Sequence, residues 1–285
     1  MIRPQLSVVI PTFERPDDLE RCLESLDPSR QTIKEDFEVL VSDDSNSSGS
    51  KRLVKNKFPR IAWKEGKKNG PAGNRNAGVV RAKGEWIVFI DDDCFAEPQY
   101  LQAYSNAIRE HPDTEVFEGR IFPDRPRVTW AEGCPANEQG GMLWTSNLCI
   151  RKALFEKLGG LDERFKVAFE DVDLAYRLKR KKIKTLFVPE ASVCHPWRTL
   201  RKGIKNWKTK GYEWESLRLF LQKHPEAEQE YGSPLLYLRH ALRMVTKDLF
   251  TCVFILKGSG IDILASQFWC TSMTIVRTSL KMWKR

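Results

Sequence analysis

The chain has no Cys-x-x-Cys pair: its seven cysteines (22, 94, 134, 149, 194, 252 and 270) stand alone and scattered. That pattern excludes a disulfide framework or a zinc knuckle and points to a reducing compartment. Long apolar runs are also missing. The longest charge-free one near the C-terminus, Ile263 to Val276, is too short to cross a bilayer. A strand pattern begins within a few residues of the start, so no signal peptide is expected. There is no repeat, no low-complexity stretch and no recognisable nucleic-acid reading module. Gly70, Gly73 and Gly78 do not follow the first strand and lack the dinucleotide-binding spacing. What remains is a 285-residue chain of ordinary apolar content with net charge +9, whose basic excess favours an anionic partner.

The pattern that organises the chain is Trp86-Ile87-Val88-Phe89-Ile90-Asp91-Asp92-Asp93, an apolar run of strand length ending in three carboxylates. Unbroken Val/Ile/Phe runs belong to strands covered on both faces, so this one is expected in the centre of a sheet. In open α/β sheets ligands bind beyond the carboxyl ends of the strands. Three adjacent acids there repel one another, and a divalent cation, Mg²⁺ or Mn²⁺, resolves the repulsion and bridges the protein to a phosphate.

Upstream, Leu6 to Ile10 is a short strand stopped by Pro11. A helix begins at Pro16-Asp17-Asp18, with Leu19, Cys22, Leu23 and Leu26 at helical spacing. Phe37 to Val41 is a second strand, and it too ends in acids, Asp43-Asp44. A helix over 49–56 and a short strand at Ile61-Ala62-Trp63 follow. Gly70-Pro71-Ala72-Gly73 then opens a helix running to Lys83. This alternation predicts a mostly parallel sheet with flanking helices. Two strands ending in carboxylates on one edge define a nucleotide-sized cleft. There Asp43 or Asp44 would meet a base or ribose and the acidic triplet would hold metal and diphosphate. The helix N-terminus at Gly70, with Arg75, would face anionic substrate.

Downstream, a helix is expected over Gln99 to Glu110 and a strand over Glu115 to Ile121. A Pro-rich loop spans Pro123 to Gly141, and loops that long are usually functional or mobile. Met142 to Ile150 reads as a strand and Arg151 to Leu158 as a helix. Glu170, Asp171 and Asp173 fall at the start of another helix. Capping accounts for any one of them. Three acids in four positions, expected to face Trp144 and Asn147, exceed what a cap requires. Strands are expected at 183–188 and 191–197, the latter carrying His195, a candidate metal ligand. Arg177 to Lys184 and Arg198 to Lys210 form a basic region with Glu190 as its only acid. Its interleaved Trp197, Trp207, Tyr212 and Trp214 suit an anionic membrane surface. Residues 215–285 read as helical.

Taken together and in order, these motifs resemble the family 2 glycosyltransferases, inverting enzymes of the GT-A fold. Ser7 to Glu14 is similar to their opening strand and donor-site loop, which implies donor contacts from Pro11, Thr12 and Glu14. Val41-Ser42-Asp43-Asp44-Ser45 resembles their base-binding turn, and Gly70 to Gly78 their helix-opening motif. Phe89-Ile90-Asp91-Asp92-Asp93 matches their Asp-x-Asp motif, with Asp91 and Asp93 as its two acids. Thr145 to Lys152, with Gly159 to Phe165, resembles the acceptor-side segment, and Glu170 to Leu174 the segment bearing the catalytic base, Asp171.

The resemblance covers about residues 5–200. It implies a donor half (1–93), an acceptor half (94–200) and a C-terminal helical extension (201–285). The processive synthases' Gln-x-x-Arg-Trp motif is absent, which favours transfer of one sugar from a nucleotide-diphosphate sugar to a saccharide or lipid-linked acceptor. Trp144, Asn147 and Glu170 would touch the acceptor. Asp91, Asp93 and His195 would hold Mn²⁺ or Mg²⁺, with Asp92 beside the diphosphate. The expected setting is cytoplasmic or peripheral on the inner membrane face, in cell-surface polysaccharide or glycoconjugate assembly, without nucleic acid. Two alternatives stand. One is a sugar-1-phosphate nucleotidyltransferase, which should carry a Gly-rich basic loop where this chain has Pro11-Thr12-Phe13-Glu14. The other is a non-catalytic nucleotide-sugar or membrane-binding module, which does not need Asp171.

Overall fold

The computed structural model describes residues 5–200, 204–255 and 261–282. From the start run β1 (Leu6–Thr12), α1 (Pro16–Ser25), β2 (Phe37–Asp43), α2 (Gly49–Lys57), β3 (Ala62–Glu65), α3 (Pro71–Arg81) and β4 (Trp86–Ile90). Next come β5 (Phe95–Ala96), α4 (Tyr100–Glu110), β6 (Val116–Pro123), β7 (Glu132–Gly133), β8 (Asn147–Arg151), α5 (Lys152–Lys157), α6 (Glu170–Arg180) and β9 (Thr185–His195). The remainder holds β10 (Arg198–Thr199), α7 (Ile204–Lys223), α8 (Glu228–Tyr231), α9 (Pro234–Arg243) and α10 (Ile261–Ser279).

The chain divides into two units. The first is Met1–Asp124, Pro135–Lys166 and Glu170–Pro196; the second is Arg125–Cys134, Val167–Phe169 and Trp197–Arg285. The first unit holds one sheet in the order β3-β2-β1-β4-β8-β6-β9-β5. β1 runs parallel to β2 and β4, β2 to β3, and β6 to β9, while β8 and β5 pair antiparallel. The expected mostly parallel sheet with flanking helices is present, and β4 lies mid-sheet, between parallel β1 and antiparallel β8.

Alternation along β1 and β4 fills two cores. Val8, Ile10, Val88 and Ile90 point to the side of α1 and α4, joining Leu19, Leu23 and Tyr104. Val9, Ile87 and Phe89 point to the other side, joining Val79, Phe155 and Leu174 from α3, α5 and α6. Each such side chain contributes about 1.5–3 kcal/mol by leaving water. With both faces occupied, the strand's only polar outlet is its end, where the acids stand.

Two expectations are corrected. The strand predicted over 142–150 is only Asn147–Arg151. Glu118 takes the N–H groups of Gly141, Met142 and Leu143 and removes them from any ladder. The two strands predicted at 183–188 and 191–197 are one, β9, with a register shift opposite Gly119 and Arg120.

The second unit is mainly helical and pairs β7 with β10. Part of the basic and aromatic region expected at an anionic surface points inward. Trp214 is buried with the Arg277 guanidinium 5.1 Å from its ring centre. Trp197 donates its indole N–H to the Arg125 carbonyl at 2.7 Å. In the first unit Arg177 is held by Asp173 and the Leu158 and Gly160 carbonyls, while Lys179 to Lys182 are exposed. The side chains of Arg201, Lys202, Lys205, Trp207, Lys208 and Lys210 lie outside the described residues.

Gly84 tests the packing behind β1. A Cβ there would lie 2.7 Å from Ser7 Oγ and 2.8 Å from the Ser7 backbone nitrogen. Gly84→Ala should therefore lower stability by about 1–3 kcal/mol, read from urea denaturation midpoints.

Candidate active site

The parallel register fixes which residues meet. Thr12 is paired with Asp43 at the ends of β1 and β2, and β1 also aligns with β4, so Thr12, Asp43 and Asp91 to Asp93 share one sheet edge. The triplet forms a turn, closed by the Cys94 N–H on the Asp91 carbonyl at 3.1 Å. Asp92 is fully buried, accepts the Thr12 hydroxyl at 2.7 Å and pairs with Arg15 at 2.8 Å. Burial pushes its carboxyl up to about 7, although Arg15 and the Thr12 hydroxyl favour the charged form. Asp92 thus ties the β1 loop to the end of β4 from inside, correcting the expectation that it faces the diphosphate.

Asp93 meets the same guanidinium and a histidine besides. Its Oδ2 accepts Arg15 Nη1 at 2.7 Å, and its Oδ1 lies 3.4 Å from His195 Nε2. His195 Nδ1 is 2.8 Å from the Pro196 carbonyl. A carbonyl can only accept, so Nδ1 carries a proton; Nε2 then faces Asp93 either as a second donor on a charged ring or as a lone pair that a cation would share with the carboxylate. Ligand atoms of Asp93, Cys94 and His195 all lie within 4.8 Å of one another. Oxygen and imidazole donors suit Mg²⁺ or Mn²⁺, so Asp93 and His195 fit the expected metal. Cys94 fits less well, because burial raises its thiol well above the ordinary range.

Asp91 takes a different partner. Arg75 on α3, 5% exposed, reaches Asp91 Oδ1 with Nη2 at 2.5 Å and Glu170 Oε1 with Nη1 at 3.2 Å. Burial works against the guanidinium's charge, yet Asp91, Glu170 and Asp171 together hold its pKa above the usual value. Arg75 was expected to face anionic substrate; the structure turns it into a bridge between β4's end and the start of α6. Gly70, with φ +87°, sits where a Cβ would meet the Lys166 carbonyl at 2.7 Å. It lets the chain turn tightly into α3.

At that start, Glu170 is 6% exposed and Asp171 is half-buried. Burial, then the charge of Asp171, pushes Glu170 up to about 7. Its Oε2 is buried without a hydrogen-bond partner. Burial also raises Asp171, against the pull of the Val172 N–H and Arg75. Asp171 Oδ1 accepts that N–H at 2.8 Å. The residue just before, Phe169, has φ +79°, a costly conformation for a bulky side chain. Asp173 is fully buried on Arg177 and is structural.

The remaining expected contacts are internal. Asp43 accepts the Trp63 indole N–H at 3.0 Å and the Ser45 amide at 2.9 Å. Asp44 accepts the Lys68 amide at 2.9 Å, and burial raises its pKa. Glu14, with φ +53°, accepts the Asn46 and Ser47 amides, and its pKa is lowered by the Ser47 hydroxyl. Pro11 and Thr12 are buried in β1. Trp144 is half-buried against the core. Asn147, expected on the acceptor, is instead saturated: its amide donates to the Arg120 and Ala191 carbonyls at 2.9 Å each and accepts the Tyr104 hydroxyl at 2.6 Å.

Sequence reasoning missed Arg15, whose only signal was its place directly after a loop already singled out. It also missed Glu118. That carboxylate accepts the Gly141 amide at 2.5 Å, the Met142 amide at 2.8 Å, the Leu143 amide and the Asn137 side chain at 2.7 Å.

A family model, Glycosyl transferase family 2, matches residues 7–156, and a related one, Glycosyl transferase family group 2, matches 86–276. The chain is 41% identical over 95 residues to the Campylobacter jejuni GalNAc(5)-diNAcBac-PP-undecaprenol beta-1,3-glucosyltransferase, covering 32% of this chain and 30% of that protein. It is 27% identical over 187 residues to an uncharacterized glycosyltransferase of Haemophilus influenzae, 61% of each chain. A validoxylamine A glucosyltransferase of Streptomyces hygroscopicus is 29% identical over 218 residues, 61% of this chain and 51% of that one. The chain thus spans between about a third and two thirds of these relatives' lengths. The crystal structure of S. aureus TarS 1-349 in complex with UDP-GlcNAc shares the fold with TM-score 0.57 and 21% identity, over 76% of this chain and 65% of that one.

The Arg75 bridge can be tested. Arg75→Met leaves Asp91 and Glu170 without their shared cation and should destabilise the protein by about 3–5 kcal/mol at neutral pH. Glu170 has a folded pKa of about 7, above its unfolded 4.5. Such a group is best tolerated below 4.5 and costs stability as pH rises through 7. The penalty should therefore shrink as pH is lowered toward 5, in thermal melts of both proteins.

Proposed function

From the chain's membership of glycosyl transferase family 2, which makes it a glycosyltransferase, we propose that it moves a single sugar from a nucleotide-diphosphate sugar to an acceptor hydroxyl with inversion. The observation supporting this reading is the buried Arg75, which joins the carboxylate edge of the donor half to the acids opening α6. Asp171 is the base. It is half-buried, its pKa is raised, and it stands next to Glu170, whose neutralisation at pH near 7 decides the local charge. It takes the acceptor hydroxyl's proton as the oxygen bonds the anomeric carbon and the bond to the diphosphate breaks.

Asp91, Asp93 and His195 would hold Mn²⁺ or Mg²⁺, which when bound neutralises charge on the leaving diphosphate. Arg15 holds Asp93, and the Pro196 carbonyl holds the His195 tautomer. The turns at Asp43-Asp44 and Glu14 shape the base and ribose end. Trp144, Asn147 and Glu170 set the acceptor side, Asn147 by positioning β6, β8 and β9 rather than by touching substrate. The relatives named for undecaprenol- and decaprenol-linked acceptors support a lipid-linked or saccharide acceptor in cell-surface glycoconjugate assembly. No described helix is long and apolar enough to cross a membrane. We place the enzyme in the cytoplasm at the inner membrane face, its basic region 177–214 toward anionic lipid.

Asp171→Asn should leave the thermal shift produced by UDP-sugars nearly intact while transfer falls by a factor of about 10² or more. Retained turnover would refute the base assignment. Hydrolysis of a panel of nucleotide sugars, followed with and without a chelator, should show metal-dependent turnover; full activity in chelator would remove the metal from the scheme.

A further inference from the structure

Among the described residues, fourteen of the twenty exposed large apolar side chains lie between Leu235 and Met282. They fall in two stripes. Leu235, Leu238, Leu242, Val245 and Leu249, 37–57% exposed, repeat at alternating steps of three and four along α9 and the wider helical turns that continue it. Trp269, Met273, Val276 and Leu280, 36–61% exposed, repeat in the same way along α10 and its last turn. These are not the faces the helices use to pack. Ala241, Cys252, Ile263 and Leu264 do that and are buried. α9 and α10 thus each bury one side and leave another, also apolar, exposed, where Trp269 and Met273 border a cavity with Trp214, Tyr237 and Met244. Patches this large on a soluble surface mark an interaction site.

Charge decides what covers it. From residue 234 to 282 the sequence carries six Lys or Arg and only two acids, Asp248 and Asp262. Asp248 is paired with Arg243, Lys281 with Glu228, and Arg277 lies against Trp214, while the exposed Arg239 flanks the first stripe. A second copy of the chain laid on this face would bring two positive segments together. An anionic lipid surface complements the excess, and exposed apolar stripes with Phe250, Phe268 and Trp269 near them in a positive segment suit helices lying in the lipid interface. α10, at 19 residues, is about 28 Å long and can lie along such a surface without spanning it.

We propose that the α9–α10 face rests on an anionic phospholipid bilayer, both helices parallel to its plane, with Phe250, Phe268 and Trp269 in the headgroup boundary. The inference deepens the membrane reading given above and rests on it, but assigns the insertion to a different part of the chain from the basic region 177–214. It does not depend on the transfer chemistry.

The test uses the full chain with vesicles of phosphatidylcholine alone or mixed with phosphatidylglycerol, read by co-sedimentation. The wild type should bind the mixed vesicles. Leu242→Glu/Trp269→Glu, two positions 57% and 53% exposed, should lower partitioning more than tenfold while leaving the melting temperature and nucleotide-sugar hydrolysis unchanged. Arg239→Gln should lower only the preference for phosphatidylglycerol. Three results would overturn the proposal: a wild type that ignores the mixed vesicles, a double variant that binds them as well, or loss of binding on replacing Lys179, Arg180, Lys181 and Lys182 but not on the double substitution. A micromolar dimer that the double variant dissolves would overturn it too, by giving the face to a second copy. Hydrolysis measured without vesicles reports separately on the transfer reading.

Discussion

A guanidinium shut away from water holds the catalytic half of this protein in register. Arg75 cannot shed its proton and cannot be solvated where it lies, so its charge must be answered locally. Asp91 and Glu170 answer it from two elements far apart in sequence. The pairing sets the end of β4 against the beginning of α6. It also explains an apparent excess: three carboxylates, Asp91, Glu170 and Asp171, crowd this corner, and without the cation their repulsion would open it. Burial, with the charge of Asp171 added, still pushes Glu170 up to about 7.

The triplet after β4 shows how one sequence feature divides into separate tasks. The three acids lie in a turn after the strand, and they part company there: Asp92 and Asp93 are both buried on Arg15, while Asp91 keeps to Arg75. Asp92 fastens the loop after β1 through Thr12 and Arg15. Asp93 meets His195 at 3.4 Å, a spacing that a proton on Nε2 or a cation would bridge. Asp91 goes to Arg75. A site expected to be one cluster of three acids is thus two clusters sharing a strand end, one gathered by Arg15 and the other by Arg75.

Much of the frame was legible because it follows from periodicity. β1, β2, β4, α1 and α3 stand close to where apolar runs, Pro and Gly put them, and a strand buried on both faces could hardly be read otherwise. The candidate residues were legible as types and order, and the structure links Asp91 to Glu170 through Arg75 and sets Asp93 against His195. Roles were harder. Nothing in the spacing around Asn147 tells that its amide would be consumed by the Arg120 and Ala191 carbonyls and the Tyr104 hydroxyl. Arg75 looked like a ligand for anions because its partners lie 16 and 95 residues away. Such pairings are tertiary facts that no local pattern carries.

Glu118 has a consequence of a different kind. A buried carboxylate that gathers three consecutive amides makes the stretch from Gly141 to Leu143 behave as if it belonged to the sheet, although it forms no strand. Its amides should exchange with solvent as slowly as those of β8, and a residue added or deleted there would strand a charge in the interior. Glu132 anchors the Val128 and Thr129 amides in the same manner, so over evolutionary time changes in the length of this connection are expected between the two anchors.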